Sequence, residues 1–194
     1  MVVCFIGDSL TQGIGDELAL GWVGRLARES YLKDPTRSRS LTVCNLGLRS
    51  DTSTRIAVRW REETDRRRRQ GEDMAFVFSF GAADGKFDLP GEESLTAARQ
   101  VLEGAAALGQ TLYASPPPAF DAAWSGHIRQ LGAQVRGLCA ELGVPAFDLH
   151  APLAAEPAYM ASLAADGIHP DAAGYERMAE LLSGWSPLAR LLGL

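Results

Sequence analysis

Val2-Val3-Cys4-Phe5-Ile6-Gly7-Asp8-Ser9-Leu10 stands at the start of the chain, an apolar run that ends in a glycine, an acid and a serine. A short unbroken run of this kind is typical of a strand buried on both faces of a parallel sheet. Because a helical pattern follows, we expect Ser9 in a strand-to-helix turn at the carboxyl edge of the sheet. There the free N–H groups of the turn and helix face a ligand, and a serine hydroxyl is well placed as a nucleophile.

Apolar runs with strand character alternate along the chain with longer segments of helical spacing. The predicted strands are Val2–Ile6, Leu41–Leu46, Ala75–Phe80, Thr111–Ala114 and Val144–Phe147. The predicted helices are Trp22–Leu32, Thr52–Arg69, Glu92–Leu108, Ala122–Leu142 and Asp171–Ser183. This alternation implies right-handed βαβ crossovers and a parallel sheet with helices on both faces. We predict an α/β fold, a flavodoxin-like three-layer α/β/α sandwich with the strand order 2-1-3-4-5.

Length and composition indicate one globular domain over residues 1–194. The chain has 194 residues, and domains commonly run to about 100–200 residues. Its net charge of −5 argues against nucleic acid or an anionic membrane as the main partner, because binding a polyanion relies on Lys and Arg. No apolar run approaches the roughly 20 residues that span a bilayer. We therefore predict a small-molecule partner and no transmembrane segment; composition does not define the oligomeric state.

The three cysteines, Cys4, Cys44 and Cys139, lie inside apolar runs where a free thiol is commonly buried. Cys4 and Cys44 fall on strands that we expect to be neighbours, so a disulfide between them is an alternative to core packing. An odd number of cysteines does not indicate a disulfide framework. The chain also enters its first strand at Val2, without the segments of an export signal. We therefore expect a reducing, cytoplasmic location.

A second polar motif lies near the other end of the chain and reads Asp166-Gly167-Ile168-His169-Pro170. An aspartate three residues before a histidine can curl back to the Nδ1–H of that histidine. This contact orients the ring so that Nε2 accepts a proton. Together with Ser9, the two side chains supply the nucleophile, acid and base of an acyl-transfer triad in the order Ser, Asp, His.

These two motifs resemble those of the GDSL, or SGNH, family of serine hydrolases, and the resemblance runs from residue 6 to residue 170. It implies the same sandwich fold and ester hydrolysis of the esterase or lipase type through an acyl-enzyme, without a cofactor or metal. Ser9 is then the nucleophile and, through its N–H, the first oxyanion donor. His169 is the base and Asp166 the acid that orients it. Asp8, beside Ser9, is a candidate pocket residue.

The second motif of the family resembles Asn45-Leu46-Gly47-Leu48-Arg49-Ser50-Asp51-Thr52-Ser53, directly after the second predicted strand. Relatives usually place a glycine before the acidic residue, and its N–H is the second oxyanion donor. Ser50 occupies that position here. A serine N–H can donate if the backbone allows it, and Gly47 is the alternative donor. Arg49 either faces the pocket, where it would meet an anionic substrate group, or is an exposed loop residue.

The third motif departs further from the family. Relatives usually read Gly-x-Asn-Asp after the third strand, with the asparagine amide as a third oxyanion donor. This chain reads Gly81-Ala82-Ala83-Asp84, so Ala83 has no donor, while Asp84 is a candidate pocket residue. Loss of one such donor typically lowers kcat by about 10²–10³-fold. Three explanations are open: a slowed enzyme, a substitute donor such as Arg49 or a bound water, and a fold kept for binding.

The spacing of glycines and histidines argues against two other kinds of site. Gly7, Gly13 and Gly15 do not form the G-x-G-x-x-G pattern of a dinucleotide site. No pair of histidines at helical spacing and no Cys/His cluster indicates a metal site. The sequence therefore predicts a cofactor-independent serine esterase of small acyl esters. Acyl-thioesterase and carbohydrate acetylesterase activities are variants of this prediction, and a ligand-binding protein without turnover is the alternative class.

Overall fold

Five parallel strands form one sheet in the computed structural model, which describes residues 1–194. The strands are β1 (Val2–Gly7), β2 (Thr42–Gly47), β3 (Met74–Ser79), β4 (Gln110–Ala114) and β5 (Ala146–Phe147). Their order is β2-β1-β3-β4-β5, which confirms the predicted topology. β1 pairs along its whole length with both neighbours. The strand that leads to Ser9 is therefore an inner strand.

Eleven helices surround the sheet. The long ones match the predicted segments to within four residues at each end: α2 (Gly21–Lys33), α4 (Ser53–Asp65), α6 (Gly91–Ala106), α7 (Ala122–Leu142) and α10 (Ala172–Ser183). The short ones are α1 (Ser9–Gln12), α3 (Arg37–Ser40), α5 (Ala82–Lys86), α8 (His150–Ala154), α9 (Pro157–Ser162) and α11 (Ser186–Leu192). The sequence does not predict the short helices, because segments of one or two turns show no hydrophobic periodicity. None of the helices has the length and apolar character that crossing a membrane requires.

The side chains of each strand alternate between the two faces of the sheet and form two separate cores. On one face, Val3 and Phe5 share a core with α2, where the rings of Phe5 and Trp22 meet edge-on with centroids 5.4 Å apart. On the other face, Cys4 and Ile6 share a core with α4, α6 and α7. Helices thus cover both faces, as in a three-layer α/β/α sandwich.

The three cysteines are free thiols. Cys4 and Cys139 are buried in the core, and Cys44 is partly buried. Cys4 lies directly opposite Cys44 in the pairing of β1 with β2, as the predicted strand neighbours require, but the alternative disulfide is not formed.

The loops that could carry a site leave the sheet at its carboxyl edge. β1, β2 and β3 end in register at Gly7, Gly47 and Ser79, so the residues that follow them lie side by side. The chain order also reverses beside β1, and ligands bind at such a point in open α/β sheets. Gly7 allows α1 to approach this edge, because a Cβ there would collide with the carbonyl oxygen of Ser79 and the hydroxyl of Thr11.

We expect Gly7→Ala to lower the free energy of unfolding by about 3 kcal/mol, because the added methyl meets a main-chain carbonyl of the paired strand. Urea denaturation measures this change. Gly137→Ala is the matched control, since a Cβ at this exposed position of α7 meets nothing within 4 Å. The control should be neutral or stabilising by up to about 1 kcal/mol. Equal stability of Gly7→Ala and the unchanged protein would contradict the close packing of α1 on the sheet.

Candidate active site

Ser9 is the first residue of α1 and follows β1 with only one residue between them. That residue, Asp8, caps the helix by accepting a hydrogen bond from the Leu10 N–H at 2.9 Å. Ser9 is only half-buried, and it lines a cavity that opens to solvent. Because Ser9 begins the helix, its N–H has no acceptor within the helix and can meet a ligand.

Asp166 and His169 lie beside Ser9, although 160 residues separate Ser9 from His169. Ser9 Oγ is 2.8 Å from His169 Nε2, and His169 Nδ1 is 2.6 Å from Asp166 Oδ2. The second carboxylate oxygen of Asp166 accepts from the N–H of Ile168 at 3.1 Å and from the N–H of His169 at 2.9 Å. The structure therefore joins the three side chains into one hydrogen-bonded series.

The Asp166 carboxylate is held in its ionised form. Partial burial acts to raise its pKa, but hydrogen bonds from the His169 ring and from two main-chain N–H groups outweigh burial and set the pKa at about 2. An ionised Asp166 accepts the Nδ1–H of His169 and leaves Nε2 as the proton acceptor that faces Ser9. An arrangement of this kind can activate a hydroxyl for attack on a carbonyl carbon.

Ser50 lines the same cavity, and its N–H has no acceptor in the protein. Its φ of +62° lies in the left-handed region. The glycine that relatives usually have at this position takes such a conformation without strain, and Ser50 adopts the same conformation. Arg55 donates to the Ser50 carbonyl at 3.2 Å and steadies this turn. Gly47 does not line the cavity, because its N–H donates to Asn45 Oδ1 at 2.9 Å and its Cα packs on α1. Of the two alternative donors, only Ser50 is therefore at the cavity.

Ala83 and Asp84 are neighbours in α5 but face different surroundings. Ala83 lines the cavity and brings only a methyl group to it. Asp84 is fully buried and accepts hydrogen bonds from the N–H of Ser53 at 3.0 Å, from the Ser94 hydroxyl at 2.7 Å and from the Ser53 hydroxyl. Contrary to the expectation from the sequence, Asp84 does not line the cavity; it ties α5 to the first turns of α4 and α6.

The cavity around Ser9 has a volume of about 150 Å³, which is small beside the roughly 300–1,000 Å³ of typical ligand pockets. Seven of its 12 lining residues are ones that the sequence motifs single out: Asp8, Ser9, Arg49, Ser50, Ala83, Asp166 and His169. The others are Leu10, Ala82, Lys86, Trp124 and Ile168. No group of three or more His, Cys, Asp and Glu side chains in the protein is arranged to hold a metal ion.

Two of the unpredicted lining residues are polar, and they differ in how far the sequence indicates them. Lys86 lies three residues after Ala83 in α5, and this spacing places both on one helix face. Trp124 comes from α7 and donates from Nε1 to the Ala82 carbonyl at 2.8 Å. No local pattern points to Trp124, since only the packing of α7 on α5 brings it to the cavity.

Asp8 occupies an unfavourable place for a charge. It is 2% exposed, and its Oδ2 has no hydrogen-bond partner. Burial is the main cause that raises the pKa of Asp8 from 3.8 to about 7; the Leu10 N–H opposes the rise, and the negative charges of Asp84 and Asp51 add to it. Ionised Asp8 therefore lowers the stability of the folded protein.

We expect Asp8→Asn to stabilise the protein at pH 8 but not at pH 4. A carboxyl whose pKa is raised on folding contributes its full stability below its unfolded pKa and loses it as pH rises towards about 7. A shift from 3.8 to about 7 corresponds to at most about 4 kcal/mol, so we expect a gain of about 1–4 kcal/mol at pH 8. Asparagine keeps the acceptor for Leu10. Urea denaturation at the two pH values is the measurement, and an equal gain at both would show that Asp8 has no raised pKa.

Solved structures with the same fold include esterases and lipolytic proteins. LAE5, an alpha/beta hydrolase enzyme from the metagenome of Lake Arreo, is 21% identical, with a TM-score of 0.78 over 96% of this chain and 95% of its own. Axe2, an acetylxylan esterase from Geobacillus stearothermophilus, is 19% identical, with a TM-score of 0.77 over 100% of this chain and 94% of its own. A member of the lipolytic protein G-D-S-L family from Veillonella parvula is 18% identical, with a TM-score of 0.71 over 95% of this chain and 97% of its own. At these identities the likeness establishes the fold.

The family is established by the sequence. None of the curated proteins compared matches the chain. The model of the GDSL-like lipase/acylhydrolase family matches residues 5–177, a range that runs from β1 into α10. It contains the Gly-Asp-Ser-Leu motif at Ser9, the loops of Ser50 and Ala83, and the segment with Asp166 and His169. The chain therefore belongs to the GDSL-like lipase/acylhydrolase family.

Proposed function

We propose that this family hydrolase is a cofactor-independent serine esterase of small acyl esters. The observation that carries the proposal is the hydrogen-bonded series from Ser9 through His169 to Asp166, with Ser9 Oγ 2.8 Å from His169 Nε2 at a cavity open to solvent. The two contacts have the lengths that general-base activation of a hydroxyl requires. That no cofactor takes part and that the protein acts in the cytoplasm remain predictions.

In the proposed reaction, His169 removes the proton from the Ser9 hydroxyl as Oγ attacks the carbonyl carbon of the ester. The negative charge that develops on the carbonyl oxygen is stabilised by the N–H groups of Ser9 and Ser50. His169 then gives the proton to the departing alcohol, and an acyl-serine remains. Water, deprotonated by His169, releases the acid and restores Ser9, while Asp166 stabilises the charged imidazole in both halves.

The size of the cavity supports a short acyl group. A volume of about 150 Å³ corresponds to about five water molecules at about 30 Å³ each. An acetyl or propionyl group fits this space, whereas a long chain would have to extend outside it. The fold neighbour Axe2 is an acetylxylan esterase, which makes carbohydrate acetyl esters a reasonable first set of substrates beside simple acetates and acetyl thioesters.

Ala83 favours a second candidate, a binding protein that has lost most of its turnover. In our proposal, two main-chain N–H groups stabilise the oxyanion, whereas relatives add a third donor, the asparagine amide. Loss of such a donor commonly lowers kcat by about 10²–10³-fold. The two candidates differ in turnover. An esterase hydrolyses p-nitrophenyl acetate in a Ser9-dependent manner and is labelled at Ser9 by a fluorophosphonate probe, whereas a binding protein does neither.

We expect Ser9→Ala and His169→Ala each to reduce hydrolysis of p-nitrophenyl acetate to the uncatalysed background. The double variant should be scarcely worse than either single variant, because residues that act as one unit give non-additive losses. Ser125→Ala is the matched control: its hydroxyl also bonds a histidine, His150 Nε2, at 3.0 Å, but it lies outside the Ser9 cavity. The control should lose less than about tenfold in kcat. Full activity of Ser9→Ala would refute the serine-esterase proposal.

We expect Ala83→Asn to raise kcat by about 10- to 10³-fold with little change in KM, because the charge that the new amide stabilises develops only in the transition state. Asp8 lies near the Ala83 N–H, and its unpartnered Oδ2 offers a hydrogen-bond acceptor to the side-chain amide of the new asparagine. Steady-state kinetics with p-nitrophenyl acetate measure the change. Ala83→Leu, which has the same branching as asparagine but no donor, is the control and should bring no gain. An unchanged kcat in well-folded Ala83→Asn would show that position 83 does not face the reacting carbonyl.

A further inference from the structure

Two cations line the Ser9 cavity without a carboxylate partner. Arg49 precedes Ser50 in the loop after β2, and Lys86 lies one helical turn beyond Ala83 in α5. Both side chains are exposed, and neither forms an ion pair within the protein. They follow the same two strands as the oxyanion positions Ser50 and Ala83. The mouth of the cavity therefore carries positive charge.

The remaining charges of the cavity neutralise these cations only in part. The ionised Asp166 carries one negative charge and is hydrogen-bonded to His169, whereas Asp8 is buried, so that its ionisation is opposed. Elsewhere most arginines have a carboxylate partner, as Arg177 has in Glu156 at 2.7 Å. The protein as a whole has a net charge of −5. Two unpaired cations beside the nucleophile of an acidic protein would attract an anion to this cavity.

The lining restricts where an anionic group can sit. Leu10, Ala82 and Ile168 form a buried apolar part of the lining, and a charge placed against such a surface is unfavourable. Arg49 and Lys86 are exposed, so a charge beside them keeps much of its hydration. A short acyl group fills the cavity of about 150 Å³, and the alcohol part of the ester then extends over the rim.

We propose that the substrate is the ester of a short acyl group with an alcohol that carries an anionic group, such as a carboxylate, which Arg49 and Lys86 bind. This inference rests on the proposed esterase function and names the part of the substrate that the site selects. The bonds formed and broken are those of the proposed reaction: the ester C–O bond breaks, and the anionic alcohol leaves with the proton from His169. The two cations exchange no proton and act only by attraction.

The test uses p-nitrophenyl acetate with a carboxylate beside the nitro group, and the same ester with a neutral carboxamide there. The measured quantity is the ratio of kcat/KM for the carboxylate ester to that for the carboxamide ester at low salt. We expect this ratio to fall about two- to fivefold in Arg49→Gln and in Lys86→Gln, and about tenfold in the double variant, because exposed ion pairs contribute modestly. Added salt should lower the ratio of the unchanged protein.

Arg39→Gln is the matched control for net charge. Arg39 is an exposed arginine of α3, just before β2, and so lies at the edge of the sheet opposite to the cavity. We expect Arg39→Gln to have the same ratio of kcat/KM values for the two esters as the unchanged protein. An equal fall in Arg39→Gln and in the two cavity variants would mean that net charge acts, and it would overturn the proposal.

Four further outcomes would each contradict the inference of an anionic alcohol. A ratio unchanged in the Arg49 and Lys86 variants overturns the inference, while Ser9-dependent hydrolysis of both esters leaves the esterase function standing. An equal fall for both esters in Arg49→Gln also overturns it, since Arg49 then acts on both esters alike and not on the carboxylate. A preference for p-nitrophenyl monosuccinate over the butyrate that depends on these cations would place the anion on the acyl side. No Ser9-dependent hydrolysis of any ester contradicts the proposed function and the inference together.

Discussion

The inner position of β1 in the sheet is the constraint on which the rest of the site depends. Because β1 pairs in register with β2 and β3, the loops after these three strands emerge side by side at one edge. Ser9, Ser50 and Ala83 follow the three strands in turn, and all three line one cavity. Strand pairing therefore brings the proposed nucleophile together with the loops of Ser50 and Ala83 without the help of a ligand. The missing side chain of Gly7 then allows the short helix α1 to lie against the sheet.

Asp166 and His169 reach this edge from the segment between α9 and α10, and a different set of contacts holds them. The Phe120 N–H donates to the Gly167 carbonyl at 2.7 Å, and Asp171 caps α10 directly after the segment. Asp166 also accepts two main-chain hydrogen bonds besides that from the His169 ring. The acid thus shapes its own turn and orients the imidazole at the same time. Preorganisation of this kind would spare the proposed reaction a rearrangement.

Two features that weaken a fold occur at the edge of the sheet near Ser9: Asp8 is a buried carboxyl with an unpartnered oxygen, and Ser50 takes a left-handed conformation. The exposed Arg49 and Lys86 lie at the same edge without carboxylate partners. On the face of the sheet that α2 covers, the buried Arg25 is paired with Asp16. Local strain and uncompensated charge are typical of functional sites, where geometry for a ligand takes precedence over stability.

Local signals in the sequence determined the strands and the long helices and indicated Ser9, Asp166 and His169 as candidate site residues, because apolar runs, helical periodicity and short motifs are properties of neighbouring residues. Tertiary structure alone decided that Ser50 rather than Gly47 lines the cavity, that Asp84 turns into the core, and that Trp124 joins the lining. The short helices likewise depend on packing against the sheet. The reason is physical: the direction of a side chain and its neighbours from distant segments are set only when the layers pack together.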